Sequence, residues 1–246
     1  FGGVLDPQTA LSAGYDFVSD AANDIDDTFE TYSPVLGYAV LDPDDDLIDE
    51  PGTDLADAWD RGDFLGATGI NPIMSSDPSV PVDLVSFNMH FDFDEALPSS
   101  GDASGDYSSN LISTADLAGS DLTRGIWFTV GCHSGTNVPD VSVVAASPGE
   151  EVFTEDWAQS FSRLGALYVA QNAFGLGDTE ALALTERLMA IFARNLDGNL
   201  TIGQALRQIV DLLRVEAGAI FLFNDTNESL VCRASVGPVD IVGLSV

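Results

Sequence analysis

The chain has 246 residues, 45% of them hydrophobic, with 40 acidic side chains against eight arginines and no lysine, for a formal net charge of −32. That apolar content supports a real hydrophobic core and argues against a disordered acidic chain. No stretch reaches the roughly 20 apolar residues of a membrane-spanning helix, and the absence of any basic footprint excludes a nucleic-acid partner.

The acid is uneven. Residues 1–123 hold 26 carboxylates and a single arginine, Arg61. A strongly hydrated acidic surface without lysine resembles the proteins of salt-loving organisms, where salt screens the self-repulsion of a compact anion. Two locations fit: outside the cell after export, or the cytoplasm of a halophile. The chain starts at Phe1 with no signal-peptide pattern ahead of the fold, so it reads as a processed product or an excerpt.

In chain order, apolar residues near helical spacing predict a helix over residues 8–30, and Pro34 to Val40 reads as a short strand. The Asp42–Asp46 run reads as a solvated acidic loop. Calcium is conceivable there, but the spacing is not that of an EF-hand. A second helical segment covers residues 54–66. Val82 to Asn88 is a buried-strand pattern ending in Met89-His90, followed by a polar loop over about 98–110 and a short helix over 111–119. Gly125 to Val130 is another apolar strand, ending in Gly131-Cys132-His133-Ser134-Gly135. Thr154 is expected to cap a helix holding Trp157 and Phe161. Ala166 to Ala170 is a third strand, Thr179 starts a helix through Arg194, and Thr201 starts another through Leu213. Short, continuously apolar strands alternating with helices predict an α/β fold with a mostly parallel sheet covered on both faces. Residues 217–236 then read as a β-hairpin.

The chemistry rests on His90 and Cys132. Ligands of open parallel sheets bind outside the carboxyl ends of the strands, and both residues directly follow an apolar strand. A nucleophilic thiol needs a base to hold it as the thiolate, and histidine is the usual one. Backbone amides around Cys132, at Gly131 and His133, are candidate oxyanion donors. Each residue alone has an ordinary structural reading, as a buried small hydrophobe or a satisfied polar group. The order His then Cys, 42 positions on, is the order of caspase-type enzymes. No metal framework can be built from two cysteines and two histidines at these spacings, so no cofactor is expected.

Asp83-Leu84-Val85-Ser86-Phe87-Asn88-Met89-His90-Phe91-Asp92, Val130-Gly131-Cys132-His133-Ser134-Gly135-Thr136-Asn137-Val138-Pro139-Asp140 and Gly175-Leu176-Gly177-Asp178-Thr179 resemble the gingipain-type cysteine peptidases of the caspase–gingipain–legumain clan. The resemblance covers about residues 14–205. It implies a caspase-like α/β/α sandwich and a His/Cys dyad that cleaves a protein or peptide substrate through a thioester. It also implies a specificity pocket that reads a charged side chain, for which Asp178 is the candidate; capping of the following helix is its competing role. Clan members carry Gly after the catalytic His, and its amide helps bind the oxyanion. Here Phe91 supplies that amide, and its bulk is expected to crowd the substrate. His133 reads as a structural or substrate-contact residue. Asp92 and Asp94 read as a solvated loop, with calcium or orientation of His90 as the alternatives.

The expected organisation is a peptidase domain over residues 1–203, then a helix and hairpin over 204–246. This last part resembles the start of a GAF sensory domain; the competing reading is that it completes the peptidase domain. An inactive pseudopeptidase serving as a binding module, or part of a sensory fusion, is the alternative to catalysis.

Overall fold

The computed structural model describes residues 7–41, 47–49, 53, 58–70, 82–97, 110–123, 125–138, 155–172, 174–177, 181–213, 218–223 and 230–236. Residues 8–30 are not one helix. Thr9–Tyr15 is a strand, β1, and a short 3-10 turn leads from it into helix α1, Ser19–Leu36. All seven residues of β1 are buried, so it carries no polar alternation and its small side chains imitate the buried face of a helix. Those small residues let α1 sit directly on the strand. A Cβ on Gly14 would come within 2.5 Å of the Ala22 Cβ, and Ser12 Oγ donates to Ala22 O at 2.9 Å.

The expected strand over Pro34–Val40 is also displaced. Helix α1 runs on through Pro34 and stops at Gly37, whose φ of 82° suits glycine and whose N–H donates to Ser33 O at 2.8 Å. Only Ala39–Val40, β2, is a strand there. Next come β3, Ile48–Asp49, and helix α2, Arg61–Ala67, capped by Asp60. Strand β4 is Leu84–Asn88. A small antiparallel sheet of β5 (His90–Phe91), β6 (Glu95–Leu97) and β7 (Ile112–Ser113) follows, then a 3-10 turn over Thr114–Leu117. The main sheet resumes with β8, Ile126–Phe128, and β9, Leu167–Val169.

Helix α3, Trp157–Arg163, starts from Asp156, which forms a capping box with Gln159; the expected cap, Thr154, lies outside the described residues. Helix α4 is Leu184–Arg194, and it starts five residues later than Thr179, which itself lies outside the described residues. Helix α5 is Ile202–Leu213. Its start at Thr201 is a reciprocal cap, with Thr201 Oγ1 accepting from Gln204 N–H at 3.3 Å and Gln204 Oε1 accepting from Thr201 N–H at 2.9 Å. β10 (Gly218–Phe223) and β11 (Leu230–Val236) pair antiparallel as a separate sheet.

The main sheet is parallel throughout, in the order β2-β1-β4-β8-β9, with β3 beside the far end of β1. Alternate residues feed opposite faces. Val85, Phe87 and Trp127 join α2 and α3 in one core; Leu84, Ile126 and Phe128 join α1, α4 and α5 in the other. The fold is therefore α/β with a mostly parallel sheet between helices. The chain leaves β1 toward β2 and leaves β4 toward β8, so strand order reverses between β1 and β4. Their carboxyl ends open the crevice where ligands of such sheets bind.

Candidate functional site

The carboxyl edge of the sheet is held by Asn88, the last residue of β4, which is fully buried. Its Nδ2 donates to Ala13 O at 3.2 Å and to Ser86 Oγ at 2.8 Å, and its Oδ1 accepts from Val130 N–H at 3.2 Å. One amide side chain thus joins β1, β4 and the segment leaving β8, at the place where Met89-His90 and Gly131-Cys132 diverge.

The turn carrying Cys132 is closed by its own side chains. Gly131 N–H donates to Thr129 Oγ1 at 2.9 Å, and Ser134 Oγ donates to Gly131 O at 2.6 Å. Tyr168, its phenol pushed well above the ordinary value by burial, donates to Ser134 O at 3.0 Å. Gln171 Nε2 donates to Val130 O. His133 completes the turn at φ 56°, a left-handed conformation that non-glycine residues adopt at a cost, and its ring meets Phe174 edge-on with centroids 4.6 Å apart.

The Cys132 sulfur is half-buried and accepts from Gly175 N–H at 3.2 Å, with Gly175 O at 3.6 Å. Gly175 must be glycine, because a Cβ there would lie 2.3 Å from Val130 O. The cleft beside the sulfur is lined by residues that follow four strands: Phe17 and Val18 after β1, Met89 after β4, Val130 to Cys132 after β8, and Gly175 and Leu176 after β9. Thr185 and Glu186 of α4 close it. It encloses about 210 Å³ of non-atom space, part of it open solvent, and is too narrow for the centre of a water molecule.

Glu186 is fully buried, and its carboxylate accepts from Ala183 N–H at 3.3 Å across the start of α4. Helix α4 starts late because Thr185 is drawn to the segment after β9. Its Oγ1 exchanges hydrogen bonds with Leu176 N and O at 2.7 and 2.6 Å, which holds residues 181–185 against 174–177.

His90 is exposed on β5, one residue beyond Met89. Its ring packs against Tyr15 at 5.6 Å and Phe17 at 5.1 Å between centroids. His90 and Cys132 thus stand at the carboxyl ends of neighbouring strands. Phe17 touches the imidazole and lines the thiol's cleft, so His90 sits at the margin of that cleft while Met89 forms its wall.

Phe91 does not crowd the cleft. Successive strand residues face opposite ways, and with His90 outward the Phe91 ring enters the core, 5.1 Å from Phe87 and 5.5 Å from Trp157. It also lies over Gly131, where an added Cβ would come within 2.0 Å of Phe91 Cδ2. Asp92 N–H bonds Glu95 O at 2.8 Å, so ladder alternation puts the Phe91 amide on the outer edge of β5. Gly131, by contrast, has committed its amide to Thr129.

Asp178 and the Asp42–Asp46 run lie outside the described residues. Among the described residues, no group of three or more His, Cys, Asp or Glu side chains could hold a metal ion, and no helix is long and apolar enough to cross a membrane. Sequence reasoning missed Asn88, Phe17, Gly175, Leu176 and Glu186. The spacing Phe174-Gly175-Leu176-Gly177 was the available signal: glycines at alternate positions mark a strip pressed closely on its neighbour. Comparison with protein-family models, with curated proteins and with solved structures finds no match for this chain.

Proposed function

We propose that this protein is a cysteine endopeptidase with a caspase-like fold of the gingipain type, acting through Cys132 and His90. The observation that carries the reading is a half-buried thiol at the carboxyl edge of a parallel sheet, beside its switch point, with a histidine at the end of the adjacent strand.

In this mechanism the Cys132 thiol passes its proton to His90 as the sulfur attacks the peptide carbonyl and forms a C–S bond. The carbonyl oxygen becomes an oxyanion, stabilised by the amides of Cys132 and His133 at the head of the turn and by Phe91 N–H. Collapse breaks the C–N bond, with His90 delivering a proton to the leaving amine. Water, deprotonated by His90, then hydrolyses the thioester and releases the acid. General acid–base work places the His90 imidazole within about 3 Å of the reacting groups.

The test is labelling by peptidyl acyloxymethyl ketones in low and in molar salt. Labelling confined to Cys132, absent in Cys132→Ala and at least about 100-fold slower in His90→Ala, fits a general acid–base role. A protein that no peptidyl electrophile labels in either salt is not a peptidase. The narrow cleft and a sulfur bonded to Gly175 favour the second reading, a pseudopeptidase used as a binding module. That reading predicts peptide binding that is indifferent to Cys132→Ala.

A further inference from the structure

Among the described residues, four large apolar side chains stand exposed, and three of them lie on segments that line or adjoin the Cys132 cleft: Phe174 at 69%, Leu176 at 54% and Leu184 at 60%. Phe174 packs on His133, next to the nucleophile. Leu176 lines the cleft itself, and Leu184 precedes Thr185, which is bonded to Leu176 on both its N and O.

The backbone presents these side chains. In Phe174-Gly175-Leu176-Gly177 the glycines face inward, where a Cβ on Gly175 would strike Val130 O and one on Gly177 would lie 1.7 Å from Glu186 Oε1. Phe174 and Leu176, at the intervening positions, are the exposed ones. Leu184 is held at φ 47° and His133 at φ 56°, and among the described residues these are the only non-glycine residues with positive φ. Backbone cost of this kind gathers where function needs a particular shape.

Among the described residues, charge is sparse in the same place. Of the ten residues lining the cleft only Glu186 is charged, and it is buried and engaged by the start of α4. On a chain of net charge −32, a rim whose exposed described residues are Phe174, Leu176 and Leu184 favours apolar contact over charge recognition. Salt that screens charges leaves apolar burial intact.

We propose that Phe174, Leu176 and Leu184 form a docking platform for a bulky aromatic or aliphatic side chain of an extended peptide, next to the bond to be cleaved. The occupant follows from the peptidase reading above; the platform is tested separately from it. One arm measures Cys132 labelling by acyloxymethyl ketones with Phe, Leu, Arg, Asp or Gly beside the electrophile, each rate divided by the same variant's rate with iodoacetamide. The other arm measures binding of fluorescent peptides of the same series to Cys132→Ala.

Phe and Leu probes are expected to be favoured at least about tenfold over Arg and Asp, with the preference lost in Phe174→Ser and Leu176→Ser. Both side chains are exposed, so these variants should melt at the wild-type temperature, and a melt checks it. A preference for Arg or Asp, or one untouched by both substitutions, overturns the platform while leaving the peptidase standing. If no probe labels Cys132 but Cys132→Ala binds Phe peptides in a Leu176-dependent way, the peptidase falls and the platform stands. If neither labelling nor apolar-selective binding occurs, both fall.

Discussion

Two regions flank His90 and handle charge in opposite ways. On one side is the Cys132 cleft, where Glu186 is the one charged residue among the described lining residues. On the other is the corner where the β5–β6 turn meets the start of α3, which gathers Asp92, Asp94, Glu95 and Asp156. In the corner, burial first and then the neighbouring Glu95, Asp92 and Asp156 push the Asp94 carboxyl from 3.8 to about 6. Glu95 is raised as well, by burial and by Asp92. The chain thus holds carboxylates close together in the corner, whereas the exposed described residues beside the sulfur are apolar.

The largest effect expected from changing either region comes from Phe91, the residue that joins them. Its ring fills the space over Gly131 and meets Phe87 and Trp157. Phe91→Ala should destabilise the protein by about 3–5 kcal/mol, the range for deleting a buried aromatic, as measured by urea unfolding in fixed salt. Gly131→Ala should cost about 1–3 kcal/mol by overpacking. The double variant should lose less than the sum of the two, because the new methyl group enters the space the ring vacated. Simple additivity would show that the ring and the glycine are not coupled, and Phe91 would again be a candidate for crowding substrate.

The same pair shows what the sequence discloses. Strands β4 and β8 were legible because their runs are apolar on both faces, and that alone places Cys132 and His90 at one edge. Strand β1 was not, because Ala10, Ser12, Ala13 and Gly14 carry too little apolar bulk to distinguish a strand from a helix. The inward turn of Phe91 follows from strand alternation once His90 is outward, but which of the two faces solvent depends on the aromatic cluster around Phe87. Gly175 and Glu186 reach the sulfur's cleft from 43 and 54 positions along the chain, and no local pattern encodes such an approach. Asn88 shows the same limit, since its partners lie on β1 and beyond β8.

Within the acidic corner the carboxylates differ. Asp156 is almost wholly buried, yet it accepts from Gln159 N–H at 2.8 Å, Val138 N–H at 2.7 Å and Asn137 Nδ2 at 3.1 Å. It caps α3 and fastens the segment after the Cys132 turn to it. Asp156→Ala should cost about 1–2 kcal/mol, and Asp156→Asn should recover part of that because the amide oxygen can still accept. Equal losses in thermal melts of the two variants would show that the charge, not the cap geometry, is what α3 requires.

Asp94 is the opposite case, and its effect is the smallest. A carboxyl with a higher pKa folded than unfolded binds more protons in the folded state between those two values. Stability contributed by this group therefore falls as pH rises from about 4 to about 6, and the deprotonated form opposes folding at neutral pH. Asp94→Asn should remove that slope and leave the protein slightly more stable than wild type at pH 7. The gain should be largest in low salt, where Asp92, Glu95 and Asp156 repel Asp94 most strongly, and should shrink as salt is added. Denaturant titrations of the two proteins from pH 4 to pH 7 at two salt concentrations measure both trends. A destabilised Asp94→Asn would mean that the carboxylate holds the β5–β6 turn by a contact that outweighs its neighbours' repulsion. The corner would then be, like the cleft, a place where the chain spends stability on shape.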